Sequence, residues 1–341
     1  MTKLPAISNF LTFDSPKKYI TLVYTSQSLH ILIIIKSYKI LFPKNSFIIL
    51  TSIILFIILI YLILSVYITT IAIKATRKIP DATPARVNLD YSVEEFLTED
   101  SIRLDGWFVK NENLDTVIMI HGVDSNKADG YMLDLMKDIY DMGFSVFAFD
   151  LRAHGDSEGK DLGLAYIEKK DLAAAVRHIK IDHNVTDIVL YGVSYGGTIV
   201  ISNPNIDSSV KGIIADSPFY DLPELLASEV ANRTFIPESI ARLLKFGIIR
   251  SVDILYDIKT EDIISGIQSI KDFQNSVLLF HCIADDRVPI SHSERIMGFL
   301  PPDSSLIIYK NCDHANGYDN NKEDYINFLE NYMHASFGIR P

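Results

Sequence analysis

Two stretches carry the pattern Gly-x-Ser-x-Gly: Gly192-Val193-Ser194-Tyr195-Gly196 and Gly155-Asp156-Ser157-Glu158-Gly159. A serine in such a stretch can act as a nucleophile when a tight turn between a strand and a helix lifts its hydroxyl clear, with the helix N-terminus aimed at developing negative charge. Only the first stretch has that context. The run 187–191 leads straight into Gly192, and Gly196-Gly197-Thr198-Ile199-Val200 follows as small then apolar residues. Ser157 instead lies seven residues past Asp150, where its strand ends, and reads as a loop residue. Ser194 is therefore the candidate nucleophile.

A serine hydroxyl attacks poorly until a neighbouring base takes its proton, and an acid must orient that base. Of the nine histidines, His314 closely follows the last strand candidate, 305–309, and is the candidate general base. Asp285 and Asp286 follow the strand candidate 276–282, and Asp216 ends the one before it. Spacing alone does not separate the neighbouring aspartates, although the order Ser194, Asp285, His314 is one that serine hydrolases use. The tetrahedral intermediate needs backbone N–H donors for its oxyanion. Tyr195, next after the nucleophile, supplies one. Val123, after His121-Gly122 at the end of the strand candidate 116–121, supplies the other. His121 itself reads as a buried, hydrogen-bonded structural histidine.

These loops need a scaffold that brings strand ends to one edge. Eight short β-branched or aromatic runs fit strands at 93–97, 102–110, 116–121, 145–150, 187–191, 210–216, 276–282 and 305–309, with helical patterns between most of them. Two strands followed by strand–helix alternation predict an α/β fold, a mostly parallel sheet covered by helices on both faces, with ligands at the strand C-terminal ends. The long connection from about 217 to 274 exceeds what a crossover needs and reads as a helical cap facing that edge.

At this point the chain resembles an α/β-hydrolase over residues 90–337. His281-Cys282-Ile283-Ala284-Asp285-Asp286-Arg287-Val288-Pro289 is similar to the His-Gly-x-x-Asp-x-x-Val-Pro signature of many such enzymes, which puts the acid at Asp285. Asp150-Leu151-Arg152-Ala153-His154-Gly155-Asp156-Ser157 resembles the family's Asp-x-Arg-Gly-His-Gly-x-Ser loop. Ala215-Asp216-Ser217-Pro218 resembles a segment common in the Bem46-like and acyl-thioesterase-like branches. The resemblance implies an eight-stranded sheet with a cap after strand six, and cleavage of an ester, thioester or amide through an acyl-enzyme, with no metal or organic cofactor. Ala153 and Cys282 stand where the family has glycine. Family topology also makes Cys282 and Cys312 neighbours. A disulfide there would tie the acid loop to the histidine loop, but two reduced buried thiols are expected in a reducing compartment.

Residues 47–73 are 27 consecutive uncharged positions, which as a helix reach about 40 Å, more than the roughly 30 Å of a bilayer core. The run begins too far along the chain for a cleaved signal peptide and predicts a transmembrane anchor, preceded by a basic and apolar segment, 1–46, and followed by a Pro-containing linker, 74–89. The weaker uncharged stretch 19–35 is either a second span or an interfacial segment. Counting Lys and Arg near the ends of the main run barely favours either orientation, with a slight tilt toward an N-terminus inside. Residues 1–80 hold eight lysines and one arginine against Asp14, so of the net −11 this segment carries +8 and the other 261 residues −19. That acidic body disfavours nucleic-acid binding, and the basic N-terminal segment suits a membrane face. The expectation is a membrane-anchored serine hydrolase of the carboxylesterase, lipase or thioesterase type with its catalytic domain in the aqueous phase. A serine peptidase of the same fold and a non-catalytic binding protein are the alternatives.

Overall fold

The computed structural model describes residues 10–15, 18–25, 28–30 and 44–339. The chain divides into two compact units, Met1–Ile60 and Tyr61–Pro341. In the first, β1 (Phe10–Ser15), β2 (Lys18–Thr25) and β3 (Ser28–His30) form a small antiparallel sheet. Of the stretch 19–35, then, residues 19–25 and 28–30 are strand, while 26–27 and 31–35 lie outside the described residues. Helix α1 (Lys44–Ala72) follows. It is the one helix among the described residues long and apolar enough to cross a membrane, with a mean hydropathy of 3.2.

The second unit holds an eight-stranded sheet built from β4 (Ser92–Leu97), β5 (Arg103–Val109), β6 (Thr116–Ile120), β7 (Ser145–Phe149), β8 (Ile188–Val193), β9 (Val210–Asp216), β10 (Val277–Cys282) and β11 (Ser305–Tyr309). Its order is β11-β10-β9-β8-β6-β7-β5-β4. The β4–β5 and β5–β7 pairings are antiparallel and the rest parallel. The connecting helices are α2 (Met132–Asp141), α3 (Lys169–Asp182), α4 (Tyr195–Ser202), α5 (Leu222–Arg233), α6 (Glu238–Tyr256), α7 (Thr260–Gln268), α8 (Ser291–Met297), α9 (Gly317–Asn320) and α10 (Lys322–Ser336).

All eight strands fall where the sequence places them, because the central ones are buried on both faces and read as unbroken apolar runs. Alternate residues feed two separate cores. Ile118 and Leu190 pack with α3 and α4 residues such as Leu172 and Ile199. Val117, Met119 and Val189 pack with α2 and α10 residues such as Leu135 and Met333 on the opposite face. Within the long connection after β9, α7 returns to the sheet through Ile263 and Ile267, while α5 and α6 pack on each other.

Residues 74–89 are held along the second unit rather than crossing free solvent. Arg77 donates to the carbonyls of Gly155 (2.7 Å), Ser157 (2.5 Å) and Gly159 (2.9 Å). Lys74 pairs with Asp161, Pro84–Val87 form a 3₁₀ turn, and Leu89 is buried. The physical reason is that Arg77 answers backbone carbonyls of a loop that has no strand or helix partner for them.

The thiols of Cys282 and Cys312, expected to be reduced, are instead joined in a disulfide. Parallel pairing sets Cys282 opposite Tyr309, and the turn after β11 brings the two Cα atoms to 5.4 Å, within bridging range.

Two outcomes follow. Replacing Arg77 by alanine should destabilise the protein by about 2 kcal/mol, since charged donors to otherwise unsatisfied carbonyls are lost; an unchanged melting temperature would contradict this. Maleimide should label no cysteine in the denatured, unreduced protein and two after reduction, and labelling before reduction would rule out the bridge.

Candidate active site

Ser194 occupies the turn between β8 and α4 with φ 54° and ψ −108°, a conformation that L residues rarely adopt. The flanking glycines make the turn possible: a Cβ on Gly192 would collide with the backbone of Gly196, and one on Gly196 with the carbonyls of Ile120 and His121. The Ser194 N–H donates to the Asp216 carbonyl (2.7 Å), which fixes the turn to the neighbouring strand end.

His314 Nε2 lies 2.8 Å from Ser194 Oγ, and His314 Nδ1 lies 2.6 Å from Asp285 Oδ2. A carboxylate only accepts, so Nδ1 carries the proton and donates, leaving Nε2 to accept from the serine hydroxyl. Asp285 is itself held by the N–H groups of Arg287 (3.1 Å) and Val288 (2.8 Å) at its other oxygen. Asp286 is exposed. Asp216, the third acid considered, accepts from the hydroxyls of Ser217 (3.0 Å), Tyr325 (3.1 Å) and Tyr131 (3.2 Å). Burial raises its pKa to about 6. Ser217 Oγ in turn accepts from the Ala315 N–H, so Asp216 braces the turn that carries His314.

The structure thus brings Ser194, His314 and Asp285 into one hydrogen-bonded chain, with Val123 and Tyr195 beside it. The Tyr195 N–H is the first of α4, one of those no carbonyl of that helix can receive. The loop bearing Val123 passes directly under the serine, since a Cβ on Gly122 would lie 3.7 Å from Ser194 Cβ. His121 is buried. Its Nδ1 donates to the Gly122 carbonyl (2.7 Å) and its Nε2 accepts from the Leu151 N–H (3.1 Å), and burial lowers its pKa to about 4. Ser157 is also buried, donating to the Asp150 carbonyl (2.6 Å) and accepting from the Asp105 N–H (2.9 Å).

Ser194 stands where two concavities meet. One is apolar and is walled by Leu162, Leu164, Phe219, Leu222, Leu225, Val230, Val252 and Val288 together with Thr69 and Ala72 of α1 and Ile73 after it. The other is more polar and is lined by Ser125, Asp129, His314, Asn316 and Asp319. Arg287 borders both, forked onto the Glu229 carboxylate of α5 at 2.9 and 3.1 Å.

Several groups near the site escaped sequence reasoning. The Tyr195 hydroxyl donates to Glu168 (2.8 Å), a fully buried acid whose pKa burial raises to about 7. Lys127 is buried among Asp150 (2.5 Å), Asp105 (2.8 Å) and Asp156 (2.9 Å), so its ammonium fills the place where these three carboxylates converge. Ala153, where the family has glycine, takes φ 64°, the left-handed region that explains the usual residue. Among the described residues one other cluster could ligate a cation, Glu94 with His178 and His183, on β4 and at α3, elements that do not carry Ser194.

Comparison with known proteins agrees with this geometry. A family model described as serine aminopeptidase, S33, matches residues 111–248. The uncharacterized Bacillus subtilis protein YqkD is 26% identical over 224 residues, covering 64% of this chain and 70% of its own length. An uncharacterized membrane protein of Saccharomyces cerevisiae is 32% identical over 151 residues, 42% of this chain and 51% of its own. A Pyrococcus furiosus esterase of known structure superposes with a TM-score of 0.63 at 22% identity, covering 76% of this chain and 97% of that one. With the strand order, the elbow at Ser194 and these similar proteins in agreement, the chain has the α/β-hydrolase fold.

Proposed function

We propose that the protein is a membrane-associated serine hydrolase that cleaves an acyl ester or thioester through an acyl-enzyme. The observation that carries this reading is the chain from Asp285 through His314 to Ser194, with hydrogen bonds of 2.6 and 2.8 Å. Ser194 attacks the carbonyl as His314 Nε2 takes its proton, and the N–H groups of Val123 and Tyr195 stabilise the oxyanion. His314 then returns the proton to the leaving group, Asp285 stabilises the imidazolium, and water, activated by the same imidazole, releases the acid.

The two concavities support an asymmetric substrate. An apolar acyl chain suits the Leu- and Val-lined side, and a polar alcohol or thiol suits the side bearing Asn316 and Asp319. Disulfides persist in oxidising compartments, which favours a catalytic domain outside the reducing cytosol and agrees in direction with the lysine-rich N-terminal segment lying inside.

A fluorophosphonate should label the wild type at Ser194 and leave Ser194→Ala unlabelled; labelling that survives the substitution, or none in a folded wild type, refutes the activated serine. Asp285→Asn should lower kcat by roughly 10³–10⁴-fold by favouring the wrong imidazole tautomer, whereas Asp286→Asn should stay within about threefold. Glu168 gives a pH prediction. Its folded pKa, about 7, lies above the ordinary 4.5, so between these values the folded state holds a proton that the unfolded state has lost. Stability from this group is therefore present at low pH and lost as pH rises through about 7. Glu168→Gln should remove that slope, and equal pH dependence of melting in both proteins would contradict it.

A further inference from the structure

The candidate membrane helix is not only a tether, because its last turns belong to the catalytic unit. On α1, Ser65, Ile68 and Thr69 are buried, and Ile73 after its end is buried too. Their neighbours are cap residues, with Ile68 in one cluster with Val230, Leu244 and Ile248. Contact between α1 and α6 is close: Gly247 donates its N–H to the Tyr61 hydroxyl (2.9 Å), and a Cβ on Gly247 would collide with Ser65. The helix end is capped from the cap as well. Arg233 donates to the carbonyls of Ala72 (3.1 Å) and Lys74 (2.6 Å) and pairs with Asp124, the residue after Val123.

We propose that α1 forms a wall of the acyl pocket, with Thr69 and Ala72 limiting chain length, and that the chain it receives belongs to an acyl ester dissolved in the bilayer. This rests on the reading of the protein as a membrane-associated serine hydrolase. Pocket position carries the first half: Thr69, Ala72 and Ile73 line the same apolar cavity as Ser194. Helix length carries the second. A span needs about 20 residues, and 20 counted from Phe47 reach Val66, past Tyr61 and Ser65, the residues that meet Gly247. A helix that crosses the bilayer therefore brings α6 to the level of the lipid. There, among the described residues, α6 leaves Leu243 71%, Phe246 68% and Ile254 78% exposed, with Arg250 over the Phe246 ring and Arg242 on the same helix. Apolar side chains interleaved with arginines on one helix suit the acyl–headgroup boundary.

The test uses the full chain in phosphatidylcholine nanodiscs and a series of p-nitrophenyl esters. Ala72→Phe should lower kcat/KM for the dodecanoate about tenfold, the loss of burial for about two methylenes, and change the butyrate less than threefold; Ala72→Leu should fall between. A parallel change at both chain lengths, or none, overturns the wall. On a Ser194→Ala background, displacement of a fluorescent anilinonaphthalene sulfonate by dodecanoate should weaken by a similar factor with Ala72→Phe. That arm reads the wall without catalysis, so a wild type that hydrolyses no ester defeats the hydrolase reading alone. Phe246→Ser with Leu243→Ser should slow cleavage of the bilayer-dissolved dodecanoate several-fold and spare the water-soluble butyrate. Equal rates on both substrates overturn delivery from the lipid.

Discussion

Everything at the site depends on one strained turn. Ser194 is held at positive φ between β8 and α4, and the strain is tolerated because the turn is fixed on all sides. Gly192 and Gly196 let backbone approach backbone, the Asp216 carbonyl takes the Ser194 N–H, and α4 is buried along its length. Strain of this kind costs of order 1–3 kcal/mol and persists only where the surroundings over-determine it. What it yields is position: one hydroxyl is aimed away from the core while the next N–H, that of Tyr195, stays free at a helix N-terminus.

The parallel register does the rest. Because β6, β8, β9, β10 and β11 run the same way, the loops that leave their C-terminal ends emerge along one edge, and residues far apart in sequence meet there. Each loop is then fixed by its own bonds rather than by the triad contacts. Asp285 is gripped by two backbone N–H groups, the His314 turn by Ser217 and Asp216, and the two loops by the disulfide between Cys282 and Cys312. A bridge closing a separation of 30 residues removes about 3–4 kcal/mol of chain entropy from the unfolded state, and in the folded state its covalent bond joins the end of β10, before the loop of Asp285, to the turn that carries His314.

The fold was legible wherever a local pattern and its burial agreed. The eight strands show as apolar runs because their surroundings are apolar on both sides, and Ser194 stood out from Ser157 because strand and helix flank only one of them. Asp285 was separable from Asp286 only through a signature, since neighbours in a loop differ by direction, which spacing does not encode. Lys127 with its three aspartates, Glu168 under Tyr195 and Arg77 along its loop were illegible for another reason. Each is a long polar side chain that looks like an ordinary surface residue in sequence, and the groups it bonds lie about 20 to 80 positions away. The disulfide is not legible in sequence, because two cysteines alone do not report the redox compartment that decides whether they pair.

Helix α1 shows how one segment can suit both lipid and protein. Its composition is apolar all round, so hydropathy registers only a span, yet Tyr61, Ser65 and Thr69 recur every four residues and mark a single face. Small residues on that face allow the close approach at Gly247, as in helix pairs within membranes. The hydroxyls carry no desolvation penalty on either side of the interface, because Ser65 donates to the Tyr61 carbonyl and Thr69 to the Ser65 carbonyl within the helix itself. Such a face can be buried against a cap without being unfit for a bilayer. Its docking leaves Arg233 and Asp124 linking the helix end to the loop that carries Val123, so the geometry around the serine is tied, through two side chains, to the apolar helix.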